Sequence, residues 1–259
     1  MLNEDPIGIF DSGVGGLTVL AEIKKKLPNE NIVYLGDTAH FPYGDKNKED
    51  IIEYSRENVK TLIKQHAKII VIACGTATSQ AIDVLQKEFD VPIIGIIEPT
   101  VKYIMERNID QIGVIATEGT IRSGAWEKNL KNRISNIHVV NKACPMLATI
   151  AEEGRALSIE GRKVIKEYME PFKKNRINKI ILGCTHYPIY EKLIREELEY
   201  EVELINTGTT VANYLEEMLI KNNLQNKQNK TKEEVILTKP EPYFKKIAKN
   251  ILNYEIKIK

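Results

Sequence analysis

A chain of 259 residues is long enough for two modest domains or one large one, and its 37 basic and 36 acidic residues nearly cancel. That balance leaves no surplus positive charge to neutralise phosphates, so no nucleic-acid partner is expected. No apolar run approaches the roughly 18 residues of a membrane span, and the opening MLNEDPIGIF lacks the basic-then-apolar order of a secretory signal. A cytoplasmic protein without a membrane partner is expected.

In chain order, short apolar runs alternate with amphipathic stretches. Strands are predicted at 7–10, 31–35, 68–73, 91–97, 112–116, 137–140, 179–183, 202–205 and 234–238. Several are continuous β-branched runs without polar alternation, which suits strands covered on both faces. Helices are predicted between them, for example at 17–27 and 48–65. Strands alternating with helices imply βαβ units and mostly parallel sheets. The polar segment 221–232 reads as an exposed loop.

The chain also repeats its own order. PIGIFDSGVGG, from residue 6, resembles QIGVIATEGTIRSG, from residue 111. Each is an Ile-Gly strand followed by a small, hydroxyl-bearing turn. Each half then reaches a strand that ends in cysteine: Gly8 to Cys74 spans 66 residues, Gly113 to Cys184 spans 71. The expected fold is therefore two similar α/β domains with mostly parallel sheets facing a central cleft. The C-terminal strand ends of both would line that cleft, where ligands of open α/β sheets bind.

Cysteine usage carries the chemistry. Cys74, Cys144 and Cys184 are odd in number and far apart, with no CxxC pair, so neither a disulfide framework nor a zinc site is expected. Cys74 (VIACGTAT) and Cys184 (IILGCTHYP) each stand between a strand and a predicted helix start. There the helix dipole and free N–H groups favour the thiolate. Cys144, in KACP, has no counterpart and reads as structural. Two opposed thiols suit a stereoinversion: one takes a proton from a carbon and the other returns a proton to its opposite face, with no cofactor. Neither cysteine is followed by the arginine of a phosphatase loop.

Other residues fall near the same strand ends. His186, two residues past Cys184, can hold or exchange a proton. His66 and His138 read as surface or helix-end residues, and His40 has no partner motif. Asp11 and Ser12 precede Gly13, Gly15 and Gly16, a tight turn that could form an anion cradle. With Asp37 it also forms a weak dinucleotide fingerprint, since Thr18 stands where the third glycine belongs. GDTAHFPYG (36–44) is a loop with an exposed Tyr43 at the same mouth. Thr76, Thr117, Thr120 and Thr185 add hydroxyls that suit a small anionic substrate, although threonine at such places is often only a helix cap.

FDSGVGGLTVL, GDTAHFPYG, IACGTAT, GVIAT and ILGCTHYP, in that order, resemble the signatures of the glutamate racemase family, over about residues 7–188. The resemblance implies two α/β domains, with the chain's last part returning to the first: residues 1–97 with 208–259, and residues 98–207. It implies cofactor-free interconversion of L- and D-glutamate for peptidoglycan, by a cytoplasmic enzyme that is often a homodimer. Cys74 would act on D-glutamate with Asp11 assisting, and Cys184 on L-glutamate with His186 assisting. Ser12, Tyr43 and Gly44 would hold one end of the substrate; Gly75, Thr76, Thr185 and His186 the other. Two positions depart from the family. INTGTT (205–210) replaces an aspartate-containing stretch, and Gly75 stands where the family usually has asparagine. Since relatives carry asparagine there, Gly75→Asn is expected to restore a substrate hydrogen bond and improve kcat/KM. The rival readings are an aspartate or hydantoin racemase, a nicotinamide-dependent dehydrogenase, and a non-catalytic binding protein on the same scaffold.

Overall fold

A computed structural model describes residues 2–228 and 231–259. Its strands fall into two sheets, and every pairing between them is parallel. The first sheet contains β1 (Ile7–Asp11), β2 (Ile32–Gly36), β3 (Ile69–Ile72), β4 (Ile93–Gly95) and β9 (Glu233–Leu237), in the order β4-β3-β1-β2-β9. The second contains β5 (Gln111–Ala116), β6 (His138–Ala143), β7 (Lys179–Leu182) and β8 (Glu203–Asn206), in the order β6-β5-β7-β8. Read from the other edge, 8-7-5-6 reproduces 4-3-1-2. The repeat expected from the sequence is thus a repeat of topology, and it places β3 and β7 at equivalent positions.

β1, β2 and β3 are buried along their whole length, as continuous apolar runs covered on both faces should be. β6, an edge strand, is only half-buried. β9 returns the chain to the first sheet, in register with β2 from Ile32↔Glu233 to Gly36↔Leu237. The helix before that return, α10 (Thr207–Lys221), packs on α1 (Leu17–Lys26) and α4 (Ile97–Met105). One core cluster therefore runs from Ile9 and Val71 of the first sheet, through Val211 and Leu215, to Val114 and Ile181 of the second. The departure at INTGTT has a local role: Asn206 caps α10, its Oδ1 accepting from the Gly208 N–H at 2.8 Å. Asparagine caps a helix about as well as aspartate.

The segment 221–232 is not simply an exposed loop. α10 includes Lys221, and residues 229–230 lie outside the described residues. Leu224 O accepts from Lys68 Nζ at 2.8 Å, and the Asn226 N–H donates to Glu30 Oε1 at 2.8 Å. Lys68 Nζ and Glu30 Oε2 form a buried pair at 2.6 Å. This cluster sits at the N-terminal ends of β1 and β3, where the Lys68 N–H bonds Pro6 O. It pins three separate segments at the end of the sheet away from the cysteines.

Candidate active site

The C-terminal ends of β1, β3, β5 and β7 converge on one enclosed cavity of about 20 Å³. Ser12, Tyr43, Gly44, Cys74, Gly75, Thr76, Thr117, Cys184, Thr185 and His186 line it, with Phe41, Pro42 and Ala148. That volume is room for about one water molecule. Contacts across the cleft close it: Thr76 Oγ1 and Thr117 Oγ1 are 2.8 Å apart, and the Gly119 N–H donates to Gly44 O at 3.1 Å. A larger cavity of about 510 Å³ lies elsewhere; Glu22 is the titratable side chain among its lining residues, and neither thiol reaches it.

Cys74 is the N-cap of α3 (Gly75–Glu88), and its sulfur accepts from the Ala77 N–H at 3.5 Å. Its thiol lies 3.9 Å from Ser12 Oγ. The helix start was expected to favour the thiolate, and the Ala77 N–H does act in that direction. Burial acts the other way and is stronger. With Asp11 and Cys184 nearby, it pushes the Cys74 thiol up to about 12, so Cys74 in this closed state holds its proton. Asp11 is fully buried, and burial raises its carboxyl above the usual range against the opposing pull of His186 and two backbone N–H groups.

Cys184 has a different neighbour. Its sulfur is 3.6 Å from His186 Nδ1, and His186 Nε2 is 2.7 Å from Glu152 Oε1. Burial alone would discharge this imidazole, but its contacts with Cys184 and Glu152 outweigh burial and hold it well above the ordinary histidine range. Glu152, the last residue of α7 (Pro145–Glu152), is the functional residue that sequence reasoning missed. Its Oε1 also accepts from the Val14 N–H at 2.7 Å, so it reaches across the cleft to the glycine-rich turn.

That turn is indeed an anion cradle, but the chain fills it with its own carboxylates. Gly13 N–H and Gly16 N–H both donate to Asp11 Oδ2 at 3.1 Å, and Val14 N–H donates to Glu152. Asp11 does not line the cavity; it stands behind it and accepts from Thr185 Oγ1 at 3.3 Å. Tyr43 is not exposed either. Its ring is buried, and its hydroxyl bonds Asp37 and accepts from Asn58 Nδ2 at 3.1 Å. Its side chain is thus spent on holding the 37–44 loop. His40 joins the same Asp37 carboxylate at 2.9 Å and stacks on Tyr54. Thr117 caps α5 (Glu118–Arg122), and Thr120 bonds Thr117 at 2.8 Å without lining the cavity. Cys144 is fully buried in the second sheet's core, while His66 and His138 are exposed.

The packing at Gly75 in this closed state stands against the gain expected from asparagine. A Cβ built at this position would lie 2.3 Å from the backbone oxygen of Gly183, across the cleft. Gly75 does not have a positive φ; the glycines that do are Gly124 and Gly154. The position excludes a side chain because two backbones meet there, so asparagine cannot be added to this closed geometry without displacing one of them.

The two-sheet scaffold thus carries a thiol at equivalent strand ends of each half, and its relatives are racemases. The family model described as Asp/Glu/Hydantoin racemase matches residues 15–215. A curated glutamate racemase of Lysinibacillus sphaericus is 38% identical over 249 residues, covering 95% of this chain and 94% of the relative. The crystal structure of Francisella tularensis glutamate racemase in complex with D-glutamate superposes with a TM-score of 0.93 at 34% identity, covering 99% of this chain and 97% of that one. The RacE1 isoform from Bacillus anthracis superposes at 0.94, also at 34% identity and with the same coverage. The chain belongs to the Asp/Glu/Hydantoin racemase family.

Proposed function

We propose that the protein interconverts L- and D-glutamate by two opposed thiols, without a cofactor, and supplies D-glutamate for peptidoglycan. The observation that carries the reading is the placement of Cys74 and Cys184 on one cavity, at equivalent ends of β3 and β7. The names of the relatives, at 34–38% identity over nearly the whole chain, support glutamate as the substrate. The unit carrying Cys74 comprises residues 1–97 with 208–259, and that carrying Cys184 residues 98–207, a division supported by strand membership in the two sheets. The same family resemblance supports a cytoplasmic homodimer.

In the L-to-D direction the Cys184 sulfur removes the α-proton, with His186 beside it. The Cys74 thiol delivers its proton to the opposite face. The product leaves with Cys74 deprotonated and Cys184 protonated, the arrangement required for the reverse reaction. Substrate enters when the Thr76–Thr117 and Gly119–Gly44 contacts part, because glutamate does not fit the closed cavity. Ser12 and the Gly44 backbone stand on one side of it, Thr76 and Thr185 on the other.

The test is reaction in D2O with glutamate and, separately, aspartate, without added cofactor. Mass spectrometry of separated enantiomers should find solvent deuterium at Cα of the glutamate product in each direction. Product without deuterium, a requirement for pyridoxal phosphate, or faster turnover of aspartate would each defeat the reading.

A further inference from the structure

The closed cavity has room for about one water molecule, so glutamate first meets the protein outside the contacts that shut it. Next to that seam lies a second pocket, of about 260 Å³, lined by Lys48, Ser79, Gln80, Gly119, Arg122 and Ser123. Each segment that closes the cavity runs on into it. In α3, Thr76 meets Thr117 across the cleft, and Ser79 and Gln80 follow three and four residues on, along the same face. In the second half, Gly119 donates to Gly44 O, and Arg122 and Ser123 follow at the same spacing. Four residues beyond Gly44, Lys48 begins α2 (Lys48–Lys64). A Cβ on Gly119 would lie 2.8 Å from Gly44 O and 3.0 Å from Gln80 Nε2, so seam and pocket adjoin.

The donors of this pocket differ in how they are used. The hydroxyls of Ser79 and Ser123 are spent on their own helices, donating to Thr76 O at 3.0 Å and to Thr120 O at 2.6 Å. The two cations are not spent. Among the described residues, neither Lys48 nor Arg122 forms an ion pair within 4.0 Å. No aspartate or glutamate lines the pocket. Both cations are exposed, so neither serves a buried partner. Lys48 follows β2 of the first sheet and Arg122 follows β5 of the second, so the pair spans the cleft. On a chain whose net charge is only +1, this is a local concentration of positive charge at the mouth of the site.

We propose that Lys48 and Arg122 form an anion-docking site at the mouth of the active site, which takes a carboxylate of the substrate before the seam parts. This rests on the glutamate reading above and deepens it. Glutamate carries two carboxylates and one ammonium at neutral pH, so it has a net negative charge for the pair to attract. Positive charge at the mouth of a cleft concentrates its counter-ion there and speeds capture. That action is on the free enzyme and free substrate. It therefore raises kcat/KM and leaves kcat, measured with the site full, unaltered. Because the attraction is between exposed charges, salt screens it.

The double variant Lys48→Gln/Arg122→Gln tests the proposal, assayed with each enantiomer of glutamate from about 0.01 M to about 1 M NaCl, over which the Debye length shrinks from about 30 Å to about 3 Å. At low salt its kcat/KM should fall about tenfold, the lower end of what a charge-lined cleft provides, with kcat and Tm near the wild-type values. Salt should lower the wild-type kcat/KM and hardly alter the variant's, so that the two converge at about 1 M. Lys192→Gln/Lys259→Gln removes the same charge from α9 (Glu191–Leu198) and the chain's end, and should match wild type at every salt concentration. An unchanged kcat/KM at low salt overturns the proposal. So does a deficit that persists at about 1 M salt, a matching fall in kcat, a lowered Tm, or an equal loss in the control pair. Glutarate has both carboxylates and no stereocentre, and its binding, followed by NMR titration, needs no turnover. The double variant should bind it about tenfold more weakly at low salt. Equal binding by variant and wild type refutes the docking site even if the enzyme racemises glutamate. Wild-type protein that binds glutarate in this salt-dependent way and fails to racemise glutamate refutes the functional reading instead.

Discussion

Glu152→Gln isolates the charge on the carboxylate that joins the two halves. Glu152 Oε1 accepts from the Val14 N–H and lies 2.7 Å from His186 Nε2. The glutamine oxygen keeps the shape and can still accept from Val14, so the turn should hold. What disappears is a negative charge beside a buried imidazolium. Burial already opposes that charged form, and Cys184 and Glu152 are what overcome it. A hydrogen bond to a charged group contributes roughly 1.5–3 kcal/mol. Without it His186 should fall back toward the ordinary histidine range. A group held above its unfolded pKa contributes stability that is complete below about 6.5 and is lost as pH rises through the folded value. In Glu152→Gln that loss, and the alkaline fall in kcat for L-glutamate, should both move to lower pH. The assay is kcat by circular dichroism, followed from neutral into alkaline pH, with Tm measured in the same buffers. A reduced kcat with an unmoved alkaline limb would refute the reasoning and leave Glu152 as a brace for Val14.

Other outcomes follow from the same geometry. Cys74→Ser and Cys184→Ser should each abolish measurable racemisation, a hydroxyl being a far weaker base, while Cys144→Ser should leave turnover nearly unchanged; the polarimetric assay reads all three. His186→Asn should lower kcat from L-glutamate by about 10²-fold or more. Because the equilibrium constant is one, kcat/KM must fall equally in both directions, so the asymmetry is read from kcat and from a larger primary isotope effect on 2-deutero-L-glutamate than on the D enantiomer. Lys68→Met leaves Glu30 buried without its partner, a change that costs about 3–5 kcal/mol. At roughly 2–4 °C per kcal/mol for a chain of this size, Tm should drop by about 6–20 °C with little change in kcat, as the pair sits at the far end of the sheet; an unaltered Tm would contradict the role given to that cluster.

What was legible in the sequence was whatever is encoded by neighbours along the chain. Buried parallel strands announce themselves as unbroken apolar runs, and IGIF and KIIVIA needed no partner to be recognised. The repeat was legible because βα turns that carry chemistry are short: Cys74 caps the helix that follows it, as its context implied. Glu152 was not legible. It ends an ordinary helix in a run, AEEG, that matches no motif, and its meaning comes from Val14, 138 residues away. The direction of Tyr43 depended on Asp37 and Asn58, and the meaning of Gly75 on a carbonyl in the other half. For Cys74 the local signal was real but incomplete, because the helix dipole is visible in sequence and the depth of burial is not.

The repeat makes the two thiols equivalent in topology, and the residues around them remove that equivalence in charge. Beside Cys74 stands Asp11, whose negative charge adds to burial in keeping the proton on sulfur. Beside Cys184 stands His186, held as an imidazolium by Glu152 and by the sulfur itself. A two-thiol inversion, as proposed here, needs one sulfur with a proton to give and another placed to take one. A symmetric pair in symmetric surroundings would have no reason to divide the work in this way. The cross-cleft bonds add a further condition: Asp11 meets Thr185, and Glu152 meets Val14, only when the halves are closed. The charges that set the two sulfurs apart are therefore assembled by closure itself. Opening to admit glutamate dissolves the arrangement, and closing over it, around a cavity wider than this one, has to bring the proton donor and its opposite number back together.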